Sequence, residues 1–196
     1  MDTCRLDRPD PKTGLHPLAN SWVFWFYHRP SGVRSANINY ADFMKRIAEF
    51  NSIEDFWSIY QYLKRPSSLP VVSDIQVFKS GVTPTWEDEA NVNGGKWIVR
   101  IKKGLADRYW ESLIIALIGE DFDVEDEICG AVLSLRSSED IISVWNRSAD
   151  VPRTNLMIRD AIKRVLNLPS ETVMEYKAHK NALVDHSSFR NTDVFR

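Results

Sequence analysis

An α+β domain built on a curved, mostly antiparallel sheet is what this sequence predicts, and three observations lead there. Segments with strand-like alternation are interleaved with segments of helical spacing. Several strands are joined by links of hairpin length, such as the polar stretch Ser137–Glu139. The chain has 196 residues, 43% of them hydrophobic and 27% charged, the composition of one folded globular domain and too little for two comfortable ones.

The elements follow in chain order. Residues 1–14 lack an apolar pattern and are expected as a flexible tail before a folded domain over 15–180. Ser21–His28 is aromatic and β-favouring, with Trp22, Phe24 and Phe26 on one face and Val23, Trp25 and Tyr27 on the other, so both faces require cover. Residues 29–37 carry Pro30 and Gly32 and read as a loop. Tyr40–Phe50 is ambiguous between helix and strand, because Phe43, Ile47 and Phe50 suit the first and Met44, Ala48 and Phe50 the second. Ser52 followed by Glu54 and Asp55 reads as a helix start, after which Ile53, Phe56, Trp57, Tyr60 and Leu63 recur at helical spacing until Pro66.

Asp74–Lys79 reads as a short strand and Ser80–Gly95 as a long loop. Lys96–Lys102 alternates, with Trp97, Val99 and Ile101 opposite Lys96, Ile98, Arg100 and Lys102. Asp107–Gly119 is an amphipathic helix ended by glycine, and Ala131–Arg136 and Asp140–Trp145 are two strands. Arg153–Leu168 is a helix stopped by Pro169, and Val173–Lys177 a last strand. From Ala178 the composition turns polar, and residues 181–196 are expected as a flexible loop or tail.

Many function classes drop out. The formal charge is −2, from 25 basic and 27 acidic side chains, which argues against a broadly basic nucleic-acid sleeve but leaves room for a local basic patch. Cys4 and Cys129 supply neither a disulfide framework nor a zinc site, so a reducing compartment is expected. Apolar runs such as Leu113–Ile118 are too short to cross a bilayer, and the polar N-terminus lacks the apolar core of a signal peptide. There is no HExxH, no GxSxG elbow, and Gly94-Gly95-Lys96 has Ala90 where a Walker loop needs its first glycine. The four histidines, His16, His28, His179 and His186, have no metal-like local spacing. Cys129 precedes an apolar strand and reads as a buried structural thiol rather than a nucleophile. No catalysis and no cofactor are expected.

The segment Pro84-Thr85-Trp86-Glu87-Asp88-Glu89 stands apart, because a tryptophan in a polar, proline-marked loop is an awkward core residue. An exposed indole can stack on a nucleobase, worth roughly 1–3 kcal/mol. A neighbouring carboxylate can accept two hydrogen bonds from a guanine edge, and Lys96, Arg100, Lys102 and Lys103 follow to hold phosphates. A positively charged base such as 7-methylguanine would strengthen the stack by cation–π attraction. The alternative is that Trp86 packs under its own loop while Glu87–Glu89 form a solvated acidic run, and spacing alone leans that way. Trp57 shares a stripe with Ile53 and Tyr60, for which core burial is the default and a helix-in-groove partner the alternative. Trp22, Trp25, Trp97 and Trp110 lie on strongly patterned elements and read as core.

Taken together, His16-Pro17-Leu18, Trp22–Phe26, Ile53-Glu54-Asp55-Phe56-Trp57, Phe78-Lys79-Ser80-Gly81, Trp86-Glu87-Asp88-Glu89, Gly94-Gly95-Lys96-Trp97, Ile118-Gly119-Glu120 and Cys129-Gly130-Ala131-Val132 resemble the cap-binding translation initiation factor 4E family, in order over about residues 16–177. The stretches Glu139–Asn146 and Val173–Lys177 are similar to the 4E-homologous and plant novel cap-binding subclass, and Ser187–Thr192 to the plant type. The resemblance implies about eight antiparallel strands backed on the convex face by three helices, and it makes part of Tyr40–Phe50 a strand. It implies cap contacts by Tyr40 and Trp86 as stacking rings, Glu87 on the guanine edge, Trp145 near the methyl group, and Lys96, Arg136 and Arg100 toward phosphate. It also implies a convex face of His16, Pro17, Ile53, Trp57, Ile115 and Gly119 that binds helical Tyr-x4-Leu-Φ peptides of translational repressors or of the initiation scaffold, reversing the core default for Trp57.

Two departures from the main initiation factor carry expectations. Ile141 stands where that factor has a second phosphate-binding lysine, and a tyrosine replaces one stacking tryptophan. Together these predict cap affinity weaker by about 1–3 kcal/mol. Glu111 replaces a leucine on the partner face and is expected to bias partner choice. The resulting expectation is a cytoplasmic, non-enzymatic, monomeric regulator of translation that binds the 7-methylguanosine cap of mRNA and a partner protein. The alternatives are a genuine initiation factor, a small nucleotide-processing enzyme, or a protein scaffold whose nucleotide slot no longer works.

Overall fold

The computed structural model describes residues 9–10, 14–29 and 43–195. Eight antiparallel strands form one open, curved sheet: β1 (Pro17–His28), β2 (Met44–Ser52), β3 (Ser73–Lys79), β4 (Gly95–Ile101), β5 (Ile128–Leu135), β6 (Asp140–Asn146), β7 (Met174–Ala178) and β8 (Asp193–Phe195). Their spatial order is β2-β1-β3-β5-β6-β4-β7-β8. Four helices accompany them: α1 (Ile53–Tyr60), α2 (Ala106–Ile118), α3 (Pro152–Val165) and α4 (His179–Asp185).

Alternation along the strands sorts residues between two environments. Trp22 and Phe24 of β1, Val77 of β3, Trp97 and Val99 of β4, Leu133 of β5 and Ile142 and Val144 of β6 point to one face. There they meet Phe56 of α1, Trp110, Leu113 and Leu117 of α2, and Ile158 and Ile162 of α3. This is the main core. The intervening residues line the opposite face, where Phe78, Val82, Cys129, Val132 and Trp145 make a second cluster with Trp25 and Trp86 packed against it.

Helix ends reveal local chemistry that spacing alone misjudges. The Ser52 hydroxyl caps α1 by accepting from the Asp55 N–H at 3.0 Å, as its sequence position suggests. That helix stops at Tyr60 rather than Leu63, because the last turn tightens into i→i+3 bonds from Tyr62 to Ile59 and from Leu63 to Tyr60. α2 ends with Glu120, not Gly119, in the left-handed region (φ 58°), and α3 with Asn167 (φ 49°) well before Pro169. In both, the two following N–H groups reach back into the last turn: Glu120 to Leu117 and Asp121 to Ala116, Asn167 to Arg164 and Leu168 to Lys163.

The ambiguous segment resolves as strand from Met44 onward, paired to β1. Residues 181–196, expected as flexible, instead contribute most of α4 and the edge strand β8, which pairs with β7 through Met174–Phe195, Glu175–Val194 and Tyr176–Asp193. Among the described residues the helices are therefore four, with α4 added near the sheet's second face: its first residue, His179, sets its ring 4.2 Å from that of Trp145.

Candidate functional site

The second face of the sheet holds a cavity of about 610 Å³. Its floor comes from alternate residues of the central strands, Asp74 and Gln76 of β3, Val132 and Ser134 of β5, Ser143 and Trp145 of β6 and Lys96 of β4. One wall is the loop carrying Pro84, Thr85, Trp86 and Glu87, and Ser188 and Phe189 also line the cavity. Five of the seven residues expected there, Trp86, Glu87, Lys96, Arg136 and Trp145, line this one space. Tyr40 lies outside the described residues.

Arg100 is placed elsewhere. Its guanidinium donates to Glu139 at 2.6 Å and to Glu175 at 2.8 Å, and it does not line the cavity. The alternation that puts Arg100 on the same face as Lys96 is correct. Two acids nevertheless pair it, and its guanidinium lies 5.8 Å from the ring centroid of Phe189, which does line the cavity.

The Trp86 loop is fixed from beneath. Asn91 is fully buried, and its amide donates to the carbonyls of Thr83 (2.9 Å) and Thr85 (2.8 Å). The Asp88 carboxylate accepts from the backbone N–H groups of Thr83 (2.8 Å) and Ala90 (3.0 Å). The acidic run is thus divided: Asp88 turns inward to tie the loop, while Glu87 and Glu89 stay exposed. Trp86 is half-buried, with its ring at the cavity and in contact with the second cluster. The ring is therefore neither wholly under its own loop nor wholly exposed. Asn91 and Asp88 are positioning residues that sequence reasoning missed; an Asp-x-x-Asn pair inside a loop is the signal that could have found them.

Electrostatically the cavity mixes paired and unpaired charge. Arg136 donates to Asp74 Oδ1 at 2.8 Å and to the Leu135 carbonyl at 3.0 Å, so one guanidinium edge is anchored. Lys96 is 3% exposed and has no hydrogen-bonded or ion-paired partner among the described residues. Its ammonium lies 5.6 Å from the ring centroid of Trp145 and 6.0 Å from that of Trp86. Desolvation lowers its pKa to about 7, against the pull of Asp74. The Cys129 thiol is buried and pushed up to about 12, which leaves it protonated and inert.

The helix-bearing side presents a different surface. Trp57 is 45% exposed and Ile115 44%, with Trp57 edge-on to Phe56 and Tyr60. Trp57 is therefore not core. Pro17 and Gly119 are also exposed and Ile53 is half-buried. His16 is fastened to the start of α1, its N–H donating to Glu54 Oε2 at 2.9 Å and its Nδ1 lying 2.6 Å from Oε1. Those bonds hold the Glu54 carboxyl down to about 2.

Comparison with known proteins brings both surfaces into one context. The profile of the family described as Eukaryotic initiation factor 4E matches residues 17–194. A wheat protein, the Eukaryotic translation initiation factor NCBP of Triticum aestivum, is 50% identical over 181 residues, 92% of this chain and 77% of the relative. The Caenorhabditis elegans Eukaryotic translation initiation factor 4E-4 is 50% identical over 178 residues, 90% of this chain and 83% of its own. Among solved structures, C. elegans eIF4E-3 in complex with the 4E-binding protein Mextli and cap analog superposes with a TM-score of 0.81 at 37% identity, covering 87% of this chain and 96% of that one. Ascaris suum eIF4E-3 with m2,2,7G cap also gives 0.81, at 35% identity and coverage of 92% and 98%.

Proposed function

The chain belongs to the eukaryotic initiation factor 4E family, and on that premise we propose that it binds the 7-methylguanosine cap of mRNA in the cavity and a helical partner peptide across the helices, so controlling translation initiation. The observation that carries the reading is the loop cross-linked by Asn91 and Asp88, which presents Trp86 and Glu87 together to a cavity whose walls hold Lys96 and Arg136. Stacking on Trp86 supplies methyl-dependent affinity through cation–π attraction. The Glu87 carboxylate reads the guanine edge with charge-assisted bonds. Lys96 and the free edge of Arg136 receive phosphate oxygens, an attraction that salt weakens.

Ile141 is buried and apolar where the main factor has a lysine, which supports weaker cap binding than that factor's. The exposed Trp57 and Ile115 support docking of a Tyr-x4-Leu-Φ helix, with Glu111, paired to Arg65 at 3.3 Å, at its edge. We assign the protein a non-enzymatic role in the cytoplasm, acting as a monomer apart from its partners. No helix among the described residues is long and apolar enough to cross a membrane.

Quenching of tryptophan fluorescence tests the central reading. 7-Methyl-GTP is expected to bind at least tenfold more tightly than GTP. Equal affinity for the two, or no binding of either, rejects it.

A further inference from the structure

Residues 185–192 form a tight turn gathered around one ammonium group. Lys177 is buried, and its Nζ lies 2.6 Å from Asp185 Oδ2 while also donating to the Arg190 carbonyl. Asp185 further accepts from the Ser187 N–H at 3.0 Å and from Asn191 Nδ2 at 3.1 Å. The Ser187 hydroxyl accepts from the N–H groups of Phe189 (3.3 Å) and Arg190 (3.2 Å), and Thr192 donates to Glu175 at 2.7 Å. What this scaffold presents to the cavity is Phe189. Its ring centroid is 5.0 Å from Lys96 Nζ, closer than either tryptophan.

Lys96 therefore has three aromatic rings about it and no anion hydrogen-bonded to it among the described residues. An ammonium in that setting is poorly solvated, and an aromatic face is a weaker counterpart than a phosphate oxygen. We propose that the Asp185–Arg190 turn is a lid on the cavity in which Phe189 competes with the ligand's phosphate for Lys96, with Lys177 as the latch that sets how readily the lid lifts. This rests on the cap-binding reading for the identity of the anion. It adds that phosphate recognition is opposed by a ring of the protein itself, so the lid acts on phosphorylated ligands and spares the bare nucleoside.

The charged and titratable groups that face Lys96 from the neighbouring elements are Asp74 on β3, Arg136 after β5, Lys177 on β7 and His179 at the head of α4. Burial, helped by Lys96, keeps the His179 imidazole neutral by lowering its pKa to about 3. Phe189→Ala leaves all four in place. It opens Lys96 to water and raises the pH at which the ammonium titrates.

Phe189→Ala is expected to bind 7-methyl-GTP about three- to tenfold more tightly than the unaltered protein at pH 7.5, while 7-methylguanosine stays within about twofold. Phe189→Leu, which keeps apolar bulk at the same place, falls between the two. The nuclear resonance of the Lys96 side-chain carbon next to nitrogen, followed against pH without nucleotide, is expected to titrate at higher pH in Phe189→Ala. Weaker 7-methyl-GTP binding by that variant, equal changes for nucleoside and nucleotide, or an unmoved Lys96 titration each overturns the lid. Because the titration needs no ligand, it judges the lid even if methylated and unmethylated nucleotides bind alike, the result that would reject cap binding itself.

Discussion

Lys96 shows how one residue can weaken a fold while serving its site. Its folded-state pKa of about 7 lies below the ordinary lysine value of 10.5, so between those values the unfolded chain binds more protons than the folded one. Stability from this group is full above pH 10.5 and is lost as pH falls through 7. Near neutrality and below, the fold carries the cost of the buried charge. Lys96→Met is accordingly expected to raise the melting temperature at pH 6.5 by several degrees, at about 2–4 °C per kcal/mol for a chain of this size. It should also reduce the preference for 7-methyl-GTP over 7-methylguanosine, with Arg136 left to hold phosphate. A calorimetric scan showing a lower melting temperature would contradict the first expectation. Trp86→Ala is expected to weaken 7-methyl-GTP about 5- to 150-fold by isothermal titration, the range of a lost base–aromatic stack. The half-buried ring explains why the sequence supported two readings: it packs against the second cluster and also lines the cavity.

Elements make the same point through their boundaries. The Trp86 loop is long and polar, yet two amide bonds from Asn91 and two carboxylate bonds from Asp88 cross-link it. Asn91→Ala leaves the carbonyls of Thr83 and Thr85 without those donors, costing about 1–3 kcal/mol. Amide hydrogen exchange should rise over residues 83–90, and cap affinity should fall about tenfold while peptide binding persists. Unchanged exchange there would show that the loop is held by other means. On the opposite side, Trp57→Ala is expected to remove binding of a Tyr-x4-Leu-Φ peptide in a pull-down and leave nucleotide quenching intact; loss of both would show that the exposed ring supports the fold rather than a partner. Helical spacing located α1, α2 and α3, because apolar stripes are a local property of the chain. Their ends were less legible, since whether Glu120 or Asn167 takes the left-handed turn depends on carbonyls left free in the preceding turn.

At the scale of the whole molecule, the period-two strand pattern is what separates two surfaces. Lys96 and Trp97 are neighbours in β4, yet one faces the cavity and the other the core beneath α3, where its indole donates to the Asn155 carbonyl at 2.9 Å. The cavity and the exposed Trp57 surface thus lie on opposite sides of a packed layer. Titrating 7-methyl-GTP with and without saturating peptide is expected to give affinities within about threefold of each other, a coupling below the usual allosteric range. A tenfold difference would mean the sheet transmits between its faces. The alternation was readable from the sequence, and with it the faces; β8 was not, because its pairing with β7 spans a turn whose closure depends on the interior lysine.

That lysine makes the last part of the chain hard to dispense with. Shortening the protein to end before Asp185 would remove the carboxylate that neutralises Lys177 and the Arg190 carbonyl that also accepts from it. A protease that clips this segment would therefore do more than trim an edge: it would leave an interior ammonium without its counter-charge and β7 without its outer neighbour.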